Sequence, residues 1–435
     1  MRGNFNKRPG SGFNSGSRSS AYGRGFGRGG GRGRGFTGSR IDESKFINKA
    51  TANNKAVEYA PTHEFSDYAI DQQLKNNISE KGYVKPTAIQ DKAIAEILEG
   101  KDIIGMADTG TGKTAAFLIP LIDKVIKNKK EKVLIMAPTR ELALQINAEF
   151  RDFAKGLGIY SAAIVGGGGM REQIMQLRRG CNVLIGTPGR LKDLMERGHI
   201  GLAECRNVVL DEADRMLDMG FINDIKLILG KMPQEKQVLL FSATLSREIE
   251  TLSQSFLKNP IKIETKLRDT SSNVDQDIIR VGMAEDKTEV LHNLLIKENF
   301  KKVLIFGTTK MGVERLSNNL NARGFKTVSI HGDKTQSGRQ LALKLFKENK
   351  INILVATDVA ARGLDIPEVS HVINFEIPKT FEDYVHRIGR TGRADKKGPA
   401  LTFVGGKTAA KDSASSGAGR SRHFSSRSFG GGKYR

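Results

Sequence analysis

The segment Ala107-Asp108-Thr109-Gly110-Thr111-Gly112-Lys113-Thr114 follows the apolar run Ile103–Ala107 and opens a helical stretch. That order suits a phosphate cradle. Gly110 and Gly112 let backbone N–H groups approach phosphate oxygens, Lys113 reaches the β- and γ-phosphates, and the Thr114 hydroxyl can ligate Mg2+. Ala107 stands where the strict pattern has glycine. A second apolar run, Val208-Val209-Leu210, ends in Asp211-Glu212-Ala213-Asp214. A carboxylate at the tip of a buried strand beside such a cradle is placed to hold the nucleotide's Mg2+, and that role falls to Asp211. Glu212 is the candidate that orients and deprotonates an attacking water. Alone, an acidic run is an ordinary solvated helix start. Together with the cradle it points to a nucleoside triphosphatase.

Positioning these groups requires strands that end at one edge and helices that begin there. From residue 61, short β-branched runs alternate with longer amphipathic stretches. Strands are expected at Ile103–Ala107, Val133–Ala137, Val183–Gly186, Val208–Asp211 and Val238–Ser242, with helices such as Arg140–Phe153 and Gly169–Arg179 between them. Residues 266–277 are polar and aperiodic, as a linker would be. The alternation resumes at Val303–Phe306, Thr327–Ile330, Ile353–Ala356, Val372–Phe375 and Leu401–Val404. Such alternation implies βαβ units and parallel sheets. The expected fold is α/β, with two tandem parallel-sheet domains over 61–265 and 278–404 joined by a short linker. Residues 1–60 are read as a disordered tail and lead-in, and 405–435 as a disordered basic tail.

Charge separates the tails from the core. Residues 1–40 hold eight Arg and one Lys with no acid, and residues 405–435 hold seven Lys and Arg against one Asp, so most of the net charge of +22 sits outside 41–404. Basic arms on a nearly balanced body imply a polyanionic partner, and nucleic acid fits better than a membrane surface because the arms lack an apolar face. Cys181 and Cys205 lie in no CxxC or Cys/His cluster, which argues against a zinc site or disulfide framework. No run is long and apolar enough to span a bilayer, and a reducing, cytoplasmic setting is expected.

Asp211-Glu212-Ala213-Asp214 is the name-giving signature of the DEAD-box RNA helicases. Over residues 61–404 the chain resembles that superfamily 2 family, with its motifs in the family's order, and its compact spacing resembles the bacterial RhlE-like type. The resemblance implies two RecA-like domains, ATP and Mg2+ as cofactors, and RNA gripped through its backbone. In the stretch Gly82–Gln90, Gln90 would read adenine, helped by Phe65 seventeen residues before Gly82. Gly363 and Asp365, in Ala360–Asp365, would face the ribose. Pro138, Thr139, Arg140, Gly166, Gly167, Thr187, Pro188, Gly189 and Arg190 would hold RNA from the first domain. Thr308, Gln336, Arg339, Thr357, Asp358 and Arg362 would do so from the second. Ser242 and Thr244, with Asp214 and His386, would couple nucleotide state to strand separation. Within His386–Arg393, Arg390 and Arg393 would reach the γ-phosphate as arginine fingers.

Three departures stand out. Phe375-Glu376 replaces the more usual Tyr-Asp, Gly166–Gly169 carries extra glycine, and Leu401–Val404 leads directly into low-complexity sequence where the family usually adds a helix. Two other readings stay open: a DNA helicase on the same scaffold, and an RNA chaperone acting through its tails. Ribonucleoprotein partners, of unspecified identity, are also expected. In residues 1–40 Arg is interleaved with Phe5, Phe13, Tyr22, Phe26 and Phe36 in Arg-Gly-Phe-Gly and Arg-Gly-Gly contexts. Arg pairs with phosphate, and both Arg and aromatic rings stack on bases. Removing both tails should therefore make RNA affinity less steeply salt-dependent and leave turnover at saturating RNA nearly unchanged. Superimposable salt titrations of full and tail-less chains would show that the tails make no phosphate contacts.

Overall fold

Strands this rich in Val, Ile and Leu have to be covered on both faces, which is what a parallel sheet flanked by helices provides. The computed structural model describes residues 43–48, 59–107, 110–265, 274–297, 300–361, 369–392 and 398–407. The first domain runs α1 (Gln72–Glu80), α2 (Ala88–Leu98), β1 (Ile103–Met106), α3 (Lys113–Lys127), β2 (Lys132–Met136), α4 (Arg140–Phe153), β3 (Ser161–Ile164) and α5 (Met170–Arg178). It continues through β4 (Val183–Gly186), α6 (Pro188–Glu196), β5 (Cys205–Leu210), α7 (Ala213–Asp218), α8 (Ile222–Gly230), β6 (Gln237–Ser242), α9 (Arg247–Phe256) and β7 (Ile261–Glu264). The second domain runs β8 (Val274–Asp286), α10 (Lys287–Lys297), β9 (Val303–Gly307), α11 (Lys310–Ala322), β10 (Thr327–Ile330) and α12 (Gln336–Lys347). It closes with β11 (Ile353–Thr357), α13 (Asp358–Ala361), β12 (His371–Asn374), α14 (Phe381–Ile388) and β13 (Gly398–Lys407).

The two sheets have strand orders β3-β4-β2-β5-β6-β1-β7 and β10-β11-β9-β12-β13-β8, with parallel pairing throughout. Alternate residues of each strand serve opposite cores. Ile103, Val133, Ile135, Val209 and Leu239 enter one cluster, while Ile104, Leu134, Met136, Val208 and Leu240 enter the other. The second sheet divides in the same way around Leu304 and Phe306 on one face and Val303 and Ile305 on the other. With both faces covered, functional groups gather at the carboxyl ends of the strands.

Four features depart from the sequence reading. β3 and β7 are strands that the apolar runs did not mark, and β13 extends to Lys407. β8 takes in Val274–Asp277, assigned above to the linker. Val274 and Gln276 are buried in alternation with Asp275 and Asp277, so this polar stretch is one-sided strand. Within the lead-in, Glu43–Phe46 forms a 3-10 turn whose Phe46 is fully buried in the second domain. A single aromatic in polar sequence carries no periodic signal, so burial depends on a cavity elsewhere in the chain. The rest of the linker, 266–273, and the tails at 1–42 and 408–435 lie outside the described residues.

The strand under the phosphate loop is seated by a missing side chain. Gly105 pairs with Phe241, and a Cβ there would stand 2.6 Å from Phe241 Cδ1. The bare position lets the Phe241 ring meet Phe117 of α3 at 5.5 Å between centroids. Gly105→Ala should overpack this layer, cost about 1–3 kcal/mol, and lower the thermal midpoint. An unchanged melting curve would show that Phe241 relaxes freely.

Candidate functional site

At the carboxyl end of β1, Gly110 and Gly112 have φ of 86° and 92°, values that favour glycine, and Gly112 caps α3. Lys113 is buried and its Nζ donates to the Ala107 carbonyl at 2.8 Å, folding back across the loop. Asp108 and Thr109 lie outside the described residues. Gln90 is fully enclosed. Its Oε1 accepts from Thr87 N at 2.9 Å and its Nε2 donates to the Gly112 carbonyl at 3.1 Å. It thus completes a capping box on α2 and braces the phosphate loop. In this arrangement the amide faces the loop, so contact with a base would require it to turn. Phe65 is also buried, edge-on to Tyr83 at 6.0 Å. Asp91, beside Gln90, was not singled out by sequence. Its carboxylate accepts from Tyr59 Oη at 2.6 Å, Thr62 N at 2.8 Å and His63 N at 3.1 Å, and sits 2.8 Å from His63 Nδ1. These bonds pin the lead-in to α2.

Asp211 ends β5 in full enclosure and accepts from Glu212 N at 3.0 Å. Burial pushes its carboxyl up to about 7; Lys113 opposes the shift, and the charges of Glu212 and Asp214 add to it. Glu212 is the N-cap of α7 with φ 50°, a left-handed conformation uncommon outside glycine and often found where a side chain is aimed for function. One oxygen of Asp214 accepts from Ala243 N at 3.1 Å, Thr244 N at 3.1 Å and Thr244 Oγ1 at 3.4 Å. Ser242 departs from expectation: its hydroxyl donates to the Thr244 carbonyl at 2.8 Å, shaping the turn from within.

In the second domain α14 presents half-buried His386 and buried Arg387, and buried Arg390 follows just past the helix end, around a small pocket shared with Phe306, Asp358, Ala361 and Asp383. Arg387 is the brace of this group, and sequence reading gave it no role of its own. Its Nε and Nη2 fork onto Asp358 at 2.5 and 2.8 Å, and Nη1 donates to Asn374 Oδ1 at 3.2 Å and the Glu376 carbonyl at 2.7 Å. Its guanidinium carbon lies 5.1 Å from the Phe306 ring centroid. Asp358, expected at RNA, is thereby committed to Arg387. Arg362, Gly363, Asp365 and Arg393 lie outside the described residues.

The segments assigned to RNA lie at strand ends and helix starts. Thr139 caps α4, accepting from Leu142 N at 3.3 Å, and Pro138 is buried beside it. The Arg140 guanidinium covers Gly166 and Gly167; a Cβ on Gly167 would stand 2.1 Å from Arg140 Nη1. Arg190 Nη1 donates to Gln173 Oε1 at 3.4 Å, while Thr187 and Pro188 are buried where α6 begins, ahead of Gly189. Thr308 donates from both backbone and hydroxyl to Glu376, the residue at the Phe-Glu departure, while Thr357 is buried at the end of β11.

Gln336 and Arg339 depart most from expectation, since both reach across to Glu141 of the first domain. Arg339 Nη2 is 3.0 Å from its carboxylate and Gln336 Nε2 3.5 Å. A second cross-domain pair joins Arg215, one residue after Asp214, to Asp383 of α14 at 3.6 Å. Among the described residues, Arg339 Nε, Gln336 Oε1 and Arg215 Nη2 are buried without a hydrogen-bond partner. A polar, incompletely paired seam suits surfaces that part.

Residues 87–252 match the DEAD/DEAH box helicase family, and residues 286–395 match the helicase conserved C-terminal domain. The chain is 45% identical over 343 residues to the ATP-dependent RNA helicase CshA of Listeria monocytogenes, a match that takes in 78% of this chain and 66% of that protein. Saccharomyces cerevisiae Dbp5 bound to RNA and ADP–BeF3 superposes with a TM-score of 0.69 at 31% identity, over 79% of this chain and 90% of that one. Mss116p bound to single-stranded RNA and AMP-PNP gives 0.70 at 33% identity, over 77% and 72%. The chain belongs to the DEAD-box helicase family. In this DEAD-box protein the Arg387 fork has a direct test. Lysine cannot reproduce the planar donors, so Arg387→Lys should leave the Asn374 and Glu376 acceptors incompletely paired, cost about 1–3 kcal/mol, and lower the second domain's melting temperature. A change within about 0.5 kcal/mol would show the brace to be dispensable.

Proposed function

We propose that this chain is an ATP-dependent RNA helicase, of bacterial type, that couples ATP hydrolysis to local strand separation and ribonucleoprotein remodelling. The observation that carries the reading is the convergence of two half-sites. The phosphate loop and Asp211–Asp214 close the first sheet, Arg387 on α14 and Arg390 just past its end belong to the second, and Arg215–Asp383 joins them. Lys113 would leave the Ala107 carbonyl for the β/γ-phosphates, and Gln90 would turn its amide from the loop toward adenine. Glu212 would take the proton of the attacking water, and Arg390, from the opposite domain, would meet charge on the γ-phosphoryl group. By resemblance, Arg393 would join Arg390 at the γ-phosphate, and Gly363 and Asp365 would face the ribose.

Mg2+ fits the donor set. Asp211 is a buried carboxyl whose ionised form burial disfavours, and with the Thr114 hydroxyl and the oxygens of a bound triphosphate it would supply hard oxygen ligands. Bound there, the ion would neutralise charge on the phosphates. RNA would lie along Arg140 with Gly166–Gly167, Arg190 and Thr308, through backbone contacts that carry little sequence preference. Gln336 and Arg339, read as RNA contacts by resemblance, meet Glu141 of the first domain and could act on RNA by way of the closed arrangement. The RNA carried by the Dbp5 and Mss116p structures and the CshA similarity favour RNA over DNA. No helix among the described residues is long and apolar enough to cross a membrane. Cys205 is buried, which pushes its thiol up to about 12, and this inert thiol suits a cytoplasmic setting.

Glu212→Gln should retain ATP and RNA together in a long-lived complex while turnover falls by about 10²-fold or more. Lys113→Ala should lose turnover through nucleotide binding. Turnover stimulated equally by RNA and sequence-matched DNA, or an unimpaired Lys113→Ala enzyme, would overturn the assignment.

A further inference from the structure

The lead-in docks on the wrong domain for its place in the chain. Residues 43–48 precede the first domain yet sit on the second. Asn48 forms an antiparallel bridge with Gln276, donating from N to the Gln276 carbonyl at 3.2 Å and accepting from Gln276 N at 2.7 Å. Gln276 lies on β8, an edge strand of its sheet, so the bridge covers part of an otherwise open row of backbone groups. Phe46 is fully buried and meets the Tyr384 ring at 4.7 Å between centroids, with the planes at 63°. Tyr384 Oη closes the circuit by donating to Gln276 Oε1 at 2.9 Å. Glu43 adds an exposed ion pair with Arg280 at 2.8 Å, worth at most about 1 kcal/mol. Phe46 therefore carries the docking.

Tyr384 is on α14, one turn before Arg387 and six residues before Arg390. We infer that residues 43–48 form an intramolecular strap whose Phe46 is a positioning residue for Arg387 of α14 and for Arg390 just past its C-terminal end. The circuit Asn48–Gln276–Tyr384–Phe46 supports one face of α14, and the Arg387–Asp358 fork supports another. Residues 49–58 lie outside the described residues, but their ends are fixed on different domains, Asn48 on β8 and Tyr59 on Asp91 of α2. The docking of 43–48 on the second domain is non-covalent, through the Asn48–Gln276 bridge and the Phe46–Tyr384 contact.

The inference rests on the reading of Arg390 as a γ-phosphate contact, and a double-mutant cycle separates the two. Steady-state ATPase at saturating RNA is measured for the full chain, Phe46→Ala, Arg390→Ala and the double variant. Phe46→Ala should lower kcat about tenfold with KM for ATP changed less than about twofold, because the group acts from the opposite domain. In the Arg390→Ala background it should cost less than about twofold more, since residues acting as a unit are not additive. Phe46→Leu should recover most of the loss. Asn48→Pro, which deletes the bridging N–H but leaves Phe46 in place, should lower kcat in the same direction, and it carries the test if Phe46→Ala fails to fold. Losses from Phe46 and Arg390 that multiply, or wild-type kcat in both Phe46→Ala and Asn48→Pro, would overturn the strap. An Arg390→Ala enzyme with normal turnover would remove the arginine reading itself, and the strap's route to chemistry with it.

Discussion

A carboxylate taken out of water has to be given hydrogen-bond donors or a counter-charge, and this chain meets that demand repeatedly at the edges of its two sheets. Asp102 accepts Val238 N at 2.8 Å and Lys258 N at 2.7 Å, fixing the turn that brings β7 beside β1. Asp91 collects the lead-in, Asp214 collects the Ala243–Thr244 turn, and Asp358 takes the fork of Arg387. Each buried acid therefore fixes a neighbouring segment in one position. Asp211 differs: among the described residues the opposite charge acting on it is that of Lys113, whose Nζ donates to the Ala107 carbonyl. Asp211 is the acid proposed above to receive a cation together with the nucleotide.

The same constraint explains the seam between the domains. Glu141 is buried against Arg339, and Arg215 against Asp383, so each domain contributes one acid and one base. Reciprocal polarity fixes register, since sliding or rotating the domains would bring unmatched charges together. A seam of apolar residues would hold more tightly but would not part readily. Here nitrogen and oxygen atoms remain unsatisfied even in contact, so the closed arrangement gains little from protein alone. In the proposed cycle ATP and RNA would each contact both halves and supply the remainder. Two ligands that favour one closed state strengthen each other's binding.

What the sequence made legible follows from how local each signal is. The phosphate loop, the acidic strand end and most strands are defined within about ten residues, and the structure puts them close to the expected places: Val183–Gly186, Thr327–Ile330 and Arg140–Phe153 have the expected bounds. β3, with the weakly apolar Ser-Ala-Ala-Ile, gave no such signal, and β8 alternates too many polar residues to stand out. Non-local pairings were invisible. Gln336 and Arg339 have side chains equally suited to phosphate and to a carboxylate, and only the fold brings Glu141 within reach. Gln90 likewise has donors and acceptors enough for a base edge, yet the fold first uses them on Thr87 and Gly112.

Phe46 is the extreme case, because nothing in residues 41–60 distinguishes it from a solvated aromatic until Tyr384 and β8 are placed around it. Its burial also bears on the low-complexity sequence that follows β13. β8 and β13 are parallel partners at one end of the second sheet, and an edge there needs cover. The lead-in supplies some of that cover from the opposite end of the chain. In doing so it places a short segment where it touches the arginine helix on one side and is tied, through Tyr59 and Asp91, to the helix that braces the phosphate loop on the other. Under the proposed strap, the lead-in would couple the two halves through contacts that need neither ATP nor RNA.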